Sequence, residues 1–225
     1  MKIGIIFAME EELNAFLSKV NFDNKTEIYK ADFYECKYKE LELVLVLSGI
    51  GKVNAARTTQ LLIDKYNPRY ILNVGVAGAV DKKLKLLDIV VADNLLQHDF
   101  DITVFDHEKG YIPGVGTKIE CDKNLLEIAK KTNKVHIGLV ASGDIFVTDD
   151  MMGAKINRKF KALCVEMEGA AIAQVCFLSN IPFLAIKCIS DTVLKENNNL
   201  TYNEFLEKSS DKIASYLIKI LNILD

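Results

Sequence analysis

IGIIFAMEEELNAFL, residues 3–17, changes periodicity halfway along. Residues 3–8 form a short continuous apolar run, the pattern of a strand buried on both faces. From Glu10 onward, Leu13, Phe16 and Leu17 recur at helical spacing, which predicts a helix over 10–20. A buried strand that hands over at once to a helix is the opening unit of an α/β fold. Three carboxylates, Glu10, Glu11 and Glu12, stand at the junction. Acids in a first helical turn suit the helix dipole, so the cluster has an ordinary structural explanation. Successive helical residues rotate by about 100°, so at most one or two of the three can face a site above the strand.

The alternation continues outward from this unit. Strands are expected over 27–36 and 41–47 with a turn at 37–40, then over 70–76, 88–92, 135–141, 164–167 and 182–189. Helices are expected over 54–66, ending before Pro68, and over 125–131, 169–178 and 202–224. This rhythm predicts an α/β fold with helices on both faces of a central sheet, and the hairpin-like pair within 27–47 makes that sheet mixed. No linker composition, internal repeat or low-complexity segment interrupts the chain, so 1–225 reads as one domain. One segment departs from the rhythm: QHDFDITVFDHEKGYIPGVGT, residues 97–117. It carries glycines and a proline with little periodicity, and such stretches inside compact domains are usually functional or mobile.

Composition narrows the function. The 225 residues are 50% hydrophobic and 26% charged, with a formal net charge of −3. Basic and acidic residues are interspersed, so neither nucleic acid nor an acidic membrane surface is an expected partner. The five cysteines are odd in number and contain no CxxC pair, which reads as buried thiols in a reducing compartment. No secretory n-region and no apolar run of about 18 residues is present, so a cytoplasmic protein is expected. HDFD at 98–101, with His107 beyond it, reads as loop polarity, and no metal is expected. Neither a GxSxG elbow nor a Cys–His motif points to acyl transfer.

In α/β sheets, ligands gather where strands end. CVEMEGAAIAQVCFL places Glu166 and Glu168 on either side of Met167, where a strand meets a helix apolar on every face. Such a helix is buried, so these acids are expected to be partly buried, either capping the helix or binding sugar hydroxyls. FLAIKCISDTV ends an apolar strand in Ser190–Asp191. Asp191 either caps the next segment or is an acid raised by apolar surroundings so that it can donate a proton. LNVGVAGAV brings Gly75 and Gly78 to a strand end, where a ligand can approach the backbone closely. It lacks the GxGxxG pattern, and SGIGK lacks that of a P-loop.

Taken in order, KIGIIFAMEEE, SGIGKVNAA, GVAGAV, LLDIVVAD, ASGDIFV, VEMEGAAIA and ISD resemble the bacterial 5′-methylthioadenosine/S-adenosylhomocysteine nucleosidases of the nucleoside phosphorylase superfamily. The resemblance spans the chain. It implies a three-layer α/β/α sandwich with a twisted mixed central sheet, a homodimer, no cofactor, and hydrolysis of the adenine–ribose bond. It implies Glu12 as the general base on water and Asp191 as the general acid on adenine N7. Phe146 is implied to stack on the base, and the backbone of Val147 to read it. Met167 and Glu168 match the ribose-binding pair. Met9, Ile50 and Gly78 match pocket-lining positions, and Ile102, Phe105, His107 and Pro113 match residues that a partner subunit places over the 5′-alkylthio group.

The chain also departs from this pattern. Val76 stands where Ser is common, Lys187 where Arg is usual, and His107 where Tyr is frequent. Tyr202 falls near a usual Phe beside the base. The GVAG and FDH variants resemble those of relatives that also cleave aminodeoxyfutalosine, which widens the expected substrates to that nucleoside and to 5′-deoxyadenosine. Related phosphorylases bind phosphate through several arginines. This chain has only Arg57, Arg69 and Arg158, none in a strand-end motif, which favours hydrolysis. A phosphate-dependent phosphorylase and a non-catalytic nucleoside-binding module are the alternatives.

Overall fold

A computed structural model describes residues 1–132, 134–193 and 198–225, the side chains of 198–204 excepted. The chain opens with β1 (Lys2–Phe7), α1 (Glu10–Leu17), β2 (Asn24–Ile28), β3 (Ala31–Tyr38) and β4 (Leu41–Leu47), followed by α2 (Lys52–Tyr66). It continues with β5 (Tyr70–Ala79), β6 (Ile89–Gln97), β7 (Ile119–Glu120), α3 (Lys123–Thr132) and β8 (His136–Ser142). The last elements are α4 (Asp150–Phe160), β9 (Cys164–Glu166), α5 (Gly169–Leu178), β10 (Phe183–Thr192) and α6 (Asn198–Leu224).

The ten strands of the described residues belong to one mixed sheet. Its open half runs β2-β3-β4-β1-β5, with β1 parallel to both β4 and β5. Its other half closes on itself, because β5 pairs with both β10 and β9, and the path β10-β6-β8-β9 joins them. A closed ring removes the exposed edges that an open sheet would leave. Helices α1 and α3 both pack on α6, and α2 packs on α5. The apolar runs that predicted buried strands supply the core: Ile3, Ile5, Ile6 and Phe7 of β1 are wholly buried, as are Leu184, Ala185 and Ile186 of β10. All five cysteines are free and buried.

Several element boundaries differ from the sequence expectation. The strand expected over 27–36 is two strands, β2 and β3, joined at Tyr29 and Lys30, both with positive φ. Two central residues at positive φ are the geometry of a type I′ turn, usually signalled by Asn or Gly. The turn after β3 tightens to Lys39–Glu40, with Lys39 at φ 52°. Helix α1 ends at Leu17, where the amides of Ser18 and Lys19 take the last carbonyls. Strands β5 and β10 run on to Ala79 and Thr192, past the points where glycine and polar residues suggested an end. Helix α4 was not anticipated, although Asp149 caps it through Met151 N–H at 2.8 Å and Arg158 and Lys159 sit in its last turn.

Candidate active site

The C-terminal ends of β1, β5, β9 and β10 surround a cleft with about 560 Å³ between its walls, its open mouth included. Met9, Glu12, Ile50, Val76, Gly78 and Phe146 line it. So do Val147, Glu166, Met167, Glu168, Ser190 and Asp191. Sequence reading missed Ala8, Ala77, Ile145 and Val165, which add apolar wall without any chemical signature.

Glu12 is the third residue of α1 and is only 2% exposed. Its Oε2 accepts from Ala8 N–H at 3.0 Å and Met9 N–H at 3.1 Å, closing a capping box on its own helix. Its Oε1 accepts from Val76 N–H of β5 at 2.8 Å. These donors use three of the roughly four lone-pair directions of a carboxylate. Burial pushes the Glu12 carboxyl above its ordinary range, although Lys187 and the three N–H groups pull the other way. Gly75 makes this placement possible: a Cβ there would stand 2.4 Å from Glu12 Oε1.

Asp191 owes its position to a bulge. In the β10–β5 ladder Ile189 faces Ala77 and Asp191 faces Gly78, so Ser190 is an extra residue on β10. Bulges re-aim side chains next to functional sites. Ser190 donates its hydroxyl to Asp191 Oδ1 at 2.8 Å, and Asp191 is 2% exposed. A Cβ on Gly78 would meet Asp191 Oδ2 at 2.8 Å. Glu12 is thus held against β5 at Val76 and Asp191 at Gly78. The two anchor points are two residues apart on one strand, roughly 7 Å.

Glu166 and Glu168 diverge. Glu166 accepts from Gly169 N–H at 2.8 Å and 3.0 Å, from Glu168 N–H at 3.2 Å, and from the Ser142 hydroxyl. It also pairs with Lys187 Nζ at 2.8 Å. Burial alone would raise its carboxyl, but Lys187, Ser142 and Gly169 hold it below the ordinary range. Its oxygens are engaged by protein, so it caps α5 rather than presenting free acceptors to the cleft. Glu168 accepts from Gly51 N–H at 2.7 Å. Burial and the neighbouring Glu166 charge push its carboxyl up to about 7. Lys187 is 2% exposed and is not part of the cleft wall. Burial opposes its charge, but Glu166, Glu168 and Glu12 together hold its ammonium above the ordinary range.

The remaining expected residues lie elsewhere. Ile102, Phe105, His107 and Pro113 belong to the 97–117 segment and do not line the cleft of their own chain. Phe105 is 71% exposed, and His107 stacks on Tyr111 with centroids 4.4 Å apart. Tyr202 lies outside the residues whose side chains are described. None of Arg57, Arg69 and Arg158 lines the cleft. Among the described residues, no group of three His, Cys, Asp or Glu side chains is placed to hold a metal, and no helix is long and apolar enough to cross a membrane.

Residues 2–222 match the family model of the phosphorylase superfamily. A 5′-methylthioadenosine/S-adenosylhomocysteine nucleosidase of Maridesulfovibrio salexigens is 41% identical, over 100% of both chains. A crystal structure of the nucleosidase of that name from Helicobacter pylori with butyl-thio-DADMe-Immucillin-A superposes with a TM-score of 0.95 at 35% identity, covering 99% of this chain and 98% of the other. The native futalosine hydrolase of Helicobacter pylori does so at 0.95 and 34%, with the same coverage. By sequence along its whole length and by its fold, this chain belongs to the phosphorylase superfamily and, within it, to the 5′-methylthioadenosine/S-adenosylhomocysteine nucleosidases.

Proposed function

We propose that the cleft hydrolyses the adenine–ribose bond of 5′-methylthioadenosine and S-adenosylhomocysteine, with 1–225 acting as one nucleosidase domain. The observation that carries this reading is the pair of buried carboxyls held two residues apart against β5. Cleaving an N-glycosidic bond builds an oxocarbenium-like ribose and needs an acid on the leaving base and an activated water on the other side. Asp191 protonates adenine N7, and Glu12 takes a proton from the attacking water. Burial raises the Glu12 carboxyl, which makes it a stronger base toward water once ionised. Glu168 accepts from the ribose hydroxyls beside Met167, while Phe146 and Val147 meet the base.

Among the described residues no cation lines the cleft to meet phosphate: the three arginines lie off it, and Lys187 is committed to Glu166. Val76 presents methyls where a hydroxyl is common in the family, so the sugar is held by Glu168 without a partner at this position. The exposed Val104 and Phe105 support a homodimer in which each 97–117 segment covers the 5′-substituent in the partner's cleft, with Ile102, His107 and Pro113 beside them. Likeness to futalosine hydrolase supports a futalosine-type nucleoside as a further substrate.

The test is adenine release from 5′-methylthioadenosine in phosphate-free buffer. Release is expected, and Asp191→Asn and Glu12→Gln should each keep binding while losing about 10²–10⁴ in kcat. Strict dependence on phosphate, or full turnover in either variant, overturns the reading.

A further inference from the structure

The first turn of α2 holds the two walls of the cleft through consecutive backbone amides. Gly51 N–H donates to Glu168 Oε1 at 2.7 Å, and Lys52 N–H donates to Asp144 Oδ1 at 2.8 Å. Gly51 sits at φ 99°, and a Cβ there would come within 3.2 Å of Asp144 Oδ1. The Lys52 side chain then reaches a third element. Its ammonium bonds Asp99 Oδ1 at 2.8 Å and Gln97 Oε1 at 3.0 Å, at the root of the 97–117 segment. Asp99 returns the connection, accepting from Asp144 N–H at 2.9 Å. Lys52 and Asp99 are about four-fifths buried, with 18% and 19% side-chain exposure. The same two segments also meet beside this cluster: His98 N–H donates to Ser142 O at 2.9 Å, and Gly143 lies so close on the His98 ring that a Cβ would stand 2.4 Å from Nε2.

We propose that Lys52 is a positioning residue, whose clamp with Asp99 and Asp144 ties the base-facing loop 144–147 to the segment that reaches the partner's cleft. This rests on reading the cleft as a nucleoside site. The clamp touches neither the bond to be broken nor the carboxyls that act on it. It fixes the wall that carries Phe146, which is 49% exposed. Loss of the clamp costs binding rather than the chemical step, since ordering of that wall must then accompany each binding event.

The experiment compares Lys52→Met, Asp99→Asn and the double variant. Steady-state release of adenine from 5′-methylthioadenosine gives KM and kcat, and calorimetry gives Kd for free adenine. Each single variant is expected to raise KM and the adenine Kd about tenfold or more, with kcat within about threefold of the parent. The double variant is expected to be no worse than the weaker-binding single one, as for residues acting through one contact. Unchanged KM and Kd in both single variants, a loss confined to kcat, or losses that multiply in the double variant overturn the proposal. If the parent chain releases no adenine, the nucleosidase reading fails, but the adenine Kd of the parent and its variants still decides the clamp. If Lys52→Met does not fold, Asp99→Asn alone carries the same KM, kcat and Kd criteria.

Discussion

Two acidic clusters stand at two helix starts, and they divide their labour differently. In Glu10–Glu12, two carboxylates are exposed and one is buried against the cleft. In Glu166–Met167–Glu168, both carboxylates are buried. At α1, the acid that caps the helix is also the one that faces the cleft, because the backbone of β5 passes within reach of Glu12. At α5, the two roles are split: Glu166 caps and Glu168 faces the cleft. The split requires a cation, since two carboxylates this close in a dry interior repel each other. Lys187 is that cation. What distinguishes the clusters is therefore burial of the neighbours, not the order of residues.

The largest effect should come from removing that cation. Lys187→Met leaves Glu166 charged, buried and unpaired, which typically costs about 3–5 kcal/mol. Urea unfolding should show this loss, and adding Glu166→Gln should recover part of it. No recovery would mean that Lys187 matters through packing alone.

A smaller effect should accompany the titration of Glu168. Its folded carboxyl stands at about 7 against an ordinary value of 4.5, so between these values the folded chain holds a proton that the unfolded chain releases. Stability from this group is therefore highest at the acidic end, falls as pH rises through the window, and is level above about 7. Glu168→Gln removes that slope. Its stability relative to the parent should be roughly 2 kcal/mol more favourable at pH 8 than at pH 5. Thermal unfolding at the two pH values checks this, and a constant difference would break the contrast between Glu168 and Glu166.

The smallest effect belongs to the exposed acids. Glu10→Gln and Glu11→Gln should each cost about 0.3–1 kcal/mol or less, diminishing with added salt, and leave kcat unchanged. A large kcat loss in either would remove the asymmetry between Glu12 and its neighbours.

Much of this was legible in the sequence where one physical cause dominated. Continuous apolar runs marked β1, β5 and β10, and the all-apolar GAAIAQVCFL marked a buried helix. The cleft residues were legible largely through the ordered family motifs, since Met9, Ile50 and Phe146 have no chemical signature of their own. What escaped depended on distant partners. The I′ turn at Tyr29–Lys30 is imposed by strand pairing and not by its residues. The closed ring comes from β9 joining β5 across a long sequence separation. Glu166 looked like a candidate for the sugar because nothing local shows that Lys187 and Ser142 converge on it. Helix α4 could have been found from its aspartate cap and basic last turn.

The buried cysteines give the molecule a practical property. Burial pushes the thiols of Cys36, Cys121 and Cys188 up to about 12, and those of Cys164 and Cys176 are raised as well. A thiol is nucleophilic as its anion, so alkylating dyes are expected to label all five only slowly in the folded chain. The chain is therefore expected to offer a low background for chemical labelling. One cysteine introduced at the exposed Met151 would carry a fluorophore on α4 without first deleting any native thiol.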